Sequence, residues 1–188
     1  REEIETKSGK MRLFIGLILP SKIRDELFKV HKKISPDISK IKWISKKNLH
    51  LTLKFLGDVE KDVLSLIIKK LNKIKFDPFE VRLGNLNFFA KNGYVKIIWT
   101  EIIPKKEIIK LQQKIDQELL DIFKFDQNFS PHLTLGRVKK IKKKEKFTKM
   151  LNDIKISNAQ FKINNFYLIE SKLTKDGSNY VIFKEFNK

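Results

Sequence analysis

An α+β fold, built as two pseudo-symmetric lobes of antiparallel sheet with outer helices around a central cleft, is what this 188-residue sequence predicts. Three observations carry that expectation. The tetrapeptide His-Leu-Thr-Leu occurs at His50–Leu53 and again at His132–Leu135, 82 residues apart, close to half of the Met11–Lys188 body. An aromatic residue stands seven positions before each copy, Trp43 and Phe125, as an internal repeat would place it. Strand-like and helix-like segments alternate, yet several neighbouring strands are hairpin-linked, which favours α+β over a doubly wound sheet.

Taken in order, Arg12–Leu19 is rich in aliphatic and aromatic residues and stops at Pro20, so it reads as a buried strand. Ser21 is placed to cap a helix to about Ile34, with Ile23, Leu27, Val30 and Ile34 at helical spacing. Lys42–Ser45 and Leu49–Leu56 read as short strands around a polar turn at Lys46–Asn48. Gly57 and Asp58 then end the strand and lead to a helix from about Lys61 to Ile74, its apolar positions including Val63, Leu66, Ile67 and Leu71. Phe79–Ala90 and Tyr94–Ile103 flank Lys91-Asn92-Gly93, and an Asn-Gly pair between β-rich runs signals a hairpin. Lys105–Phe123 follows a helical period through Ile108, Leu111, Ile115, Leu119 and Ile122. A strand at Ser130–Val138 carries the second tetrapeptide. A basic helix, Lys142–Ile154, and strands near Asn158–Ser171 and Asn179–Phe186 complete the chain.

No Pro-, Gly- or Ser-rich boundary divides residues 11–188, so one continuous bilobal domain is expected rather than two independent ones. Arg1–Lys10 lack apolar periodicity, precede Met11 and read as a remnant ahead of the natural start. Their three basic and three acidic residues leave the net charge of +19 unchanged.

The repeated tetrapeptide points to chemistry. An extended strand alternates its side chains, so the His and Thr of each copy share one face while both leucines face a core. Two such strands opposed across a cleft would set His50, Thr52, His132 and Thr134 around one ligand. Histidine gives or takes a proton near neutral pH, and two of them flanking a phosphorus serve an in-line displacement, one activating the nucleophile and one protonating the leaving oxygen. The threonines would hold the non-bridging oxygens. Arg137 would add a charged contact, although strict alternation puts it on the leucine side unless Gly136 permits a bulge. A metal site is disfavoured, because neither copy has further ligands at helical or hairpin spacing. His31, between Val30 and Lys32-Lys33, reads as solvated.

Composition narrows the rest. With no cysteine, disulfides, thiolate metal sites and a cysteine nucleophile are excluded. The longest uncharged apolar stretch near the start, Leu13–Ser21, is nine residues, far short of the ~20 a membrane helix needs. No signal peptide is legible, and cytoplasmic residence is the expectation. A charge of +19 favours a polyanionic partner, RNA above all, although lysine spread over solvated faces gives the same total. The run Lys139–Lys146 fits an RNA-binding edge or a solvated helix start equally well.

The paired motifs resemble the 2H phosphoesterase superfamily. Leu49–Gly57 (LHLTLKFLG) and Pro131–Arg137 (PHLTLGR) are similar to its RNA 2',3'-cyclic phosphodiesterase branch, the LigT-like proteins also called 2'-5' RNA ligases. So are Arg12–Ile15 through Pro20, and Glu170–Leu173 followed by Gly177 and Tyr180. The resemblance runs from Met11 to the C-terminus, with Gly16 standing where relatives usually carry Ala. It implies metal-independent hydrolysis, without a cofactor, of an RNA 2',3'-cyclic phosphate end to a 2'-phosphate. By the same analogy His50 is the acid toward the 3' oxygen, His132 the base on water, and Thr52, Thr134 and Arg137 the phosphate holders. The reverse reaction, 2'-5' joining, would use the same groups. A monomer is expected. The competing readings are the same chemistry on a small cyclic nucleotide or ADP-ribose cyclic phosphate, and a non-catalytic RNA-binding module.

Overall fold

The computed structural model describes residues 9–175 and 177–187. Two antiparallel sheets form the molecule. One has four strands in the order β3-β1-β8-β9, namely β3 (His50–Glu60), β1 (Lys10–Ile18), β8 (Asn165–Thr174) and β9 (Gly177–Asn187). The other has five in the order β2-β6-β5-β4-β7: β2 (Ser39–Trp43), β6 (Leu133–Ile141), β5 (Tyr94–Ile103), β4 (Phe79–Lys91) and β7 (Gln160–Ile163). Helices α1 (Ser21–Lys33), α2 (Leu64–Leu71), α3 (Lys105–Glu118) and α4 (Lys144–Asp153) pack outside. No helix among the described residues is long and apolar enough to cross a membrane.

The expected pseudo-symmetry is present, with an exchange that periodicity could not announce. The motif strands β3 and β6 each pair with the strand that opens their own half, β1 and β5. The third strand in each sheet comes from the other half: β4, after α2, joins β5, and β8, after α4, joins β1. The two lobes are therefore woven together, and buried residues from both sheets join in a single hydrophobic core. Helix α3 packs on β3 beside α2, and α4 packs on β4. Helix α1 reaches across to lay His31 on Trp43 of β2.

Several boundaries differ from expectation for physical reasons. Strand β1 starts at Lys10, ahead of the Met11 boundary. Lys10 is in register with Glu60 and also forms a 2.9 Å salt bridge with it. Arg1–Ser8 of the expected remnant lie outside the described residues. The same pairing carries β3 through Gly57 and Asp58 to Glu60, so these residues do not end the strand. Gly57 (φ 73°) follows a bulge instead. Ser21 does not cap α1: Pro20 holds the cap position and no side chain bonds the helix start. The expected single strand Asn158–Ser171 is two, β7 and β8, in different sheets. Strands β2 and β3 also separate into different sheets across the 3-10 turn Lys46–Asn48. The Asn92-Gly93 hairpin forms as expected, with φ of 52° and 74°, the signs a tight hairpin turn needs.

Candidate active site

His50 opens β3, and His132 stands one residue before β6. Both rings are oriented in the same way. His50 Nδ1–H donates to the Asn48 carbonyl at 2.6 Å, and His132 Nδ1–H to the Ser130 carbonyl at 2.8 Å, each two residues back. A nitrogen that donates to a carbonyl holds the proton, so Nε2 is the basic atom of each neutral ring. The Thr52 hydroxyl donates to Nε2 of His50 at 2.9 Å. Asn48 is fixed in turn, its amide donating to the Ser178 carbonyl at 2.7 Å, and Lys47 reaches Asn179 Oδ1 at 2.9 Å. The four-stranded sheet thus curls until the approach to one edge strand touches the other edge strand.

Aromatic walls complete both sites. The His50 ring lies 4.8 Å from Phe14 and meets Tyr180 edge-on at 5.0 Å. Burial there holds its pKa below the usual histidine range, with the Asn48 carbonyl pulling the other way. His132 lies edge-on to Phe89 at 5.3 Å and to Trp99 at 5.8 Å. Gly16 sits against the first motif, where a Cβ would come 2.8 Å from the Leu51 carbonyl and 3.6 Å from His50 Cδ2.

The strand register explains where Arg137 goes. Trp99 pairs with Thr134 and Ile98 with Gly136, so Leu135 is an extra, unpaired residue. The first motif repeats this: Gly16 pairs with Thr52 and Ile15 with Lys54, leaving Leu53 extra. A bulge reverses the alternation beyond it. Arg137 and its counterpart Phe55 therefore return to the His/Thr face, both exposed, while Gly136 and Lys54 turn inward and are buried. The bulge falls one residue before Gly136, whose own part is packing: a Cβ there would meet Ile41 Cγ2 at 2.7 Å and Trp43 Cε3 at 2.8 Å. The Tyr180 phenol is raised by burial and lowered by the nearby charges of Arg137 and Arg12. The tyrosine that edges His50 is thus within electrostatic reach of the second motif's arginine.

A LigT like phosphoesterase model matches residues 17–99 and 103–180. The chain belongs to that family. The RNA 2',3'-cyclic phosphodiesterase of Methanocaldococcus jannaschii is 30% identical over 177 residues, covering 93% of this chain and 99% of the relative. That of Archaeoglobus fulgidus is 30% identical over 171 residues, covering 90% and 96%. The fold is similar to apo E. coli LigT, with a TM-score of 0.78 at 22% identity, covering 96% of this chain and 98% of that one. It is also similar to TT0787 of Thermus thermophilus, with a TM-score of 0.76 at 22% identity over 94% and 97%.

Within this LigT-like fold some structural residues escaped sequence reasoning. Lys54 is buried and ion-pairs with buried Asp116 of α3, and also donates to the Lys124 carbonyl at 2.8 Å. Asp116 Oδ2 accepts from Gln112 Nε2 at 2.6 Å and from the Asp126 amide at 2.9 Å. A signal existed, since Gln112 and Asp116 stand in the apolar stripe of α3 beside Leu111 and Ile115. His31 is not solvated as expected. It stacks on Trp43 at 4.4 Å and packs against Phe28, and burial lowers its pKa to about 4.

Proposed function

We propose that this protein hydrolyses 2',3'-cyclic phosphate ends of RNA to 2'-phosphates by acid–base catalysis with two histidines. The observation that carries the reading is the symmetry-related pair of imidazoles, each with Nδ1–H tied to the carbonyl two residues back and a threonine two residues on. The names of the relatives support the substrate class. In this reading His132 Nε2 takes a proton from the attacking water as its oxygen bonds to phosphorus. His50 Nε2–H gives a proton to the departing 3' oxygen as that P–O bond breaks. Thr52, Thr134 and Arg137 hold the non-bridging oxygens. Burial works against a proton on His50 in the free protein, so the anionic cyclic phosphate itself restores the acid form. With a 5'-hydroxyl in place of water, His132 would take the hydroxyl proton as that oxygen bonds to phosphorus, and the same departure of the 3' oxygen would leave a 2'-5' linkage.

The test is incubation with cyclic-ended RNA in excess EDTA, followed by identification of the phosphate position. A 2'-phosphate product in EDTA supports the reading. A 3'-phosphate product, or activity lost on chelation and restored by a divalent metal, overturns it.

A further inference from the structure

The two sheets differ sharply in charge. Strands of the five-stranded sheet carry basic residues against two acids, Glu80 and Glu101, whereas Asp58, Glu60, Glu170 and Glu185 nearly balance the bases of the four-stranded sheet. The excess is also local. From the Thr134–Trp99 pair, β6 and β5 run away from His132 toward the β4–β5 hairpin tip, where Tyr94 pairs with Lys91. Exposed Lys40, Lys91, Lys96, Lys139, Lys140 and Lys144 gather at that end of the sheet. Among the described residues none of the six lies within salt-bridge distance of a carboxylate, while lysines elsewhere, such as Lys10, Lys46 and Lys70, do.

Exposed aromatics mark the same path. Phe89 stacks on Trp99 at 4.8 Å beside His132 and is 39% exposed. Farther out, Tyr94 is 59% exposed, with the ammonium groups of Lys96 and Lys144 each 5.9 Å from its ring centre. Tyr94 lies five positions before Trp99 on β5, a span of ~17 Å, long enough for a few extended nucleotides. An aromatic face flanked by unpaired cations is the arrangement that binds single strands without reading sequence, the ring taking a base and the lysines the backbone.

We infer that the five-stranded sheet carries a single-stranded RNA track, leading from His132 to Tyr94 at the hairpin tip, that holds the nucleotides preceding the reacting phosphate. This rests on the function proposed above and adds which lobe the strand follows. The test measures turnover of a 2',3'-cyclic mononucleotide and of cyclic-ended oligonucleotides of increasing length. The proteins are the wild type, Tyr94→Ala, Lys96→Gln/Lys144→Gln, and a control on the other lobe, Lys172→Gln/Lys184→Gln. KM should fall with length in the wild type. Tyr94→Ala should raise the oligonucleotide KM by on the order of 5- to 100-fold, with kcat and mononucleotide turnover unchanged. The double lysine variant should reduce the salt slope of oligonucleotide affinity by ~0.7 for each phosphate it no longer neutralises. The control should match the wild type. No length dependence in the wild type, or equal losses in the control, would overturn the track while mononucleotide cleavage left the chemistry standing. If neither substrate is cleaved, binding of a fluorescent oligonucleotide to the same variants decides the track separately.

Discussion

Asp116→Ala would leave the Lys54 ammonium without its carboxylate in a place water does not reach, since the two side chains are 5% and 0% exposed. Breaking a buried pair by removing one partner costs about 3–5 kcal/mol, because the remaining charge stays desolvated. The Asp126 amide and Gln112 lose an acceptor in the same step, so the upper part of that range applies. With a urea m-value of ~2–3 kcal/mol/M, the upper part of that range lowers the unfolding midpoint by about 1.3–2.5 M at pH 7. A comparison variant, Glu107→Ala, removes an exposed partner of Lys110 and should cost under about 0.5 kcal/mol. Replacing both members, Lys54→Met/Asp116→Leu, should recover only part of the loss. Buried Gln112 would still be left without the acceptor for its Nε2–H, at about 1–3 kcal/mol. The cluster also holds the chain leading into Pro131 and His132, so kcat for a cyclic phosphate should drop in Asp116→Ala under conditions where it is folded. An unchanged midpoint with an unchanged m-value would refute the reasoning. It would mean that the pair is hydrated and holds nothing.

Three further outcomes are expected. His50→Ala and His132→Ala should each slow cyclic phosphate hydrolysis by on the order of 10²–10⁴-fold, and the double variant should be little worse than either, as for groups acting together. Additive losses in single-turnover assays would break that scheme. His31 binds a proton more weakly in the folded protein, with a pKa of about 4, than in the unfolded chain, where the ordinary value of 6.5 holds. Stability should therefore fall as pH drops through this window and change no further on this account below it. His31→Phe should flatten that part of the pH–stability curve, and an unaltered slope would argue against the stacked neutral ring. Gly136→Ala forces a methyl against Ile41 and Trp43 and should cost about 1–3 kcal/mol. A midpoint equal to that of the wild type in thermal melts would show that Trp43 moves aside freely.

The periodic, local features of this chain were legible in its residues. The His-Leu-Thr-Leu copies declare a two-faced strand because alternation is a property of the extended backbone, and the Asn92-Gly93 hairpin follows from two positive φ angles that few other residues tolerate. The helical stripes of α1 and α3 were equally readable, as was the approximate repeat that makes the lobes alike. Pairing was not readable, because a hydrophobic pattern says that a strand is buried and not which partner buries it. Hence β4 and β8 exchange lobes, β2 parts from β3, and Asn158–Ser171 splits between sheets. The bulges at Leu53 and Leu135 belong to the same class. Each is set by the register of a neighbouring strand, yet it decides that Arg137 returns to the His132/Thr134 face of β6 and that Lys54 points inward to Asp116. His31 looked solvated among lysines until Trp43, on a strand 12 residues later, supplied the surface it stacks on. Local backbone geometry writes periodicity into sequence, whereas register and the burial of polar groups arise only when distant segments pack.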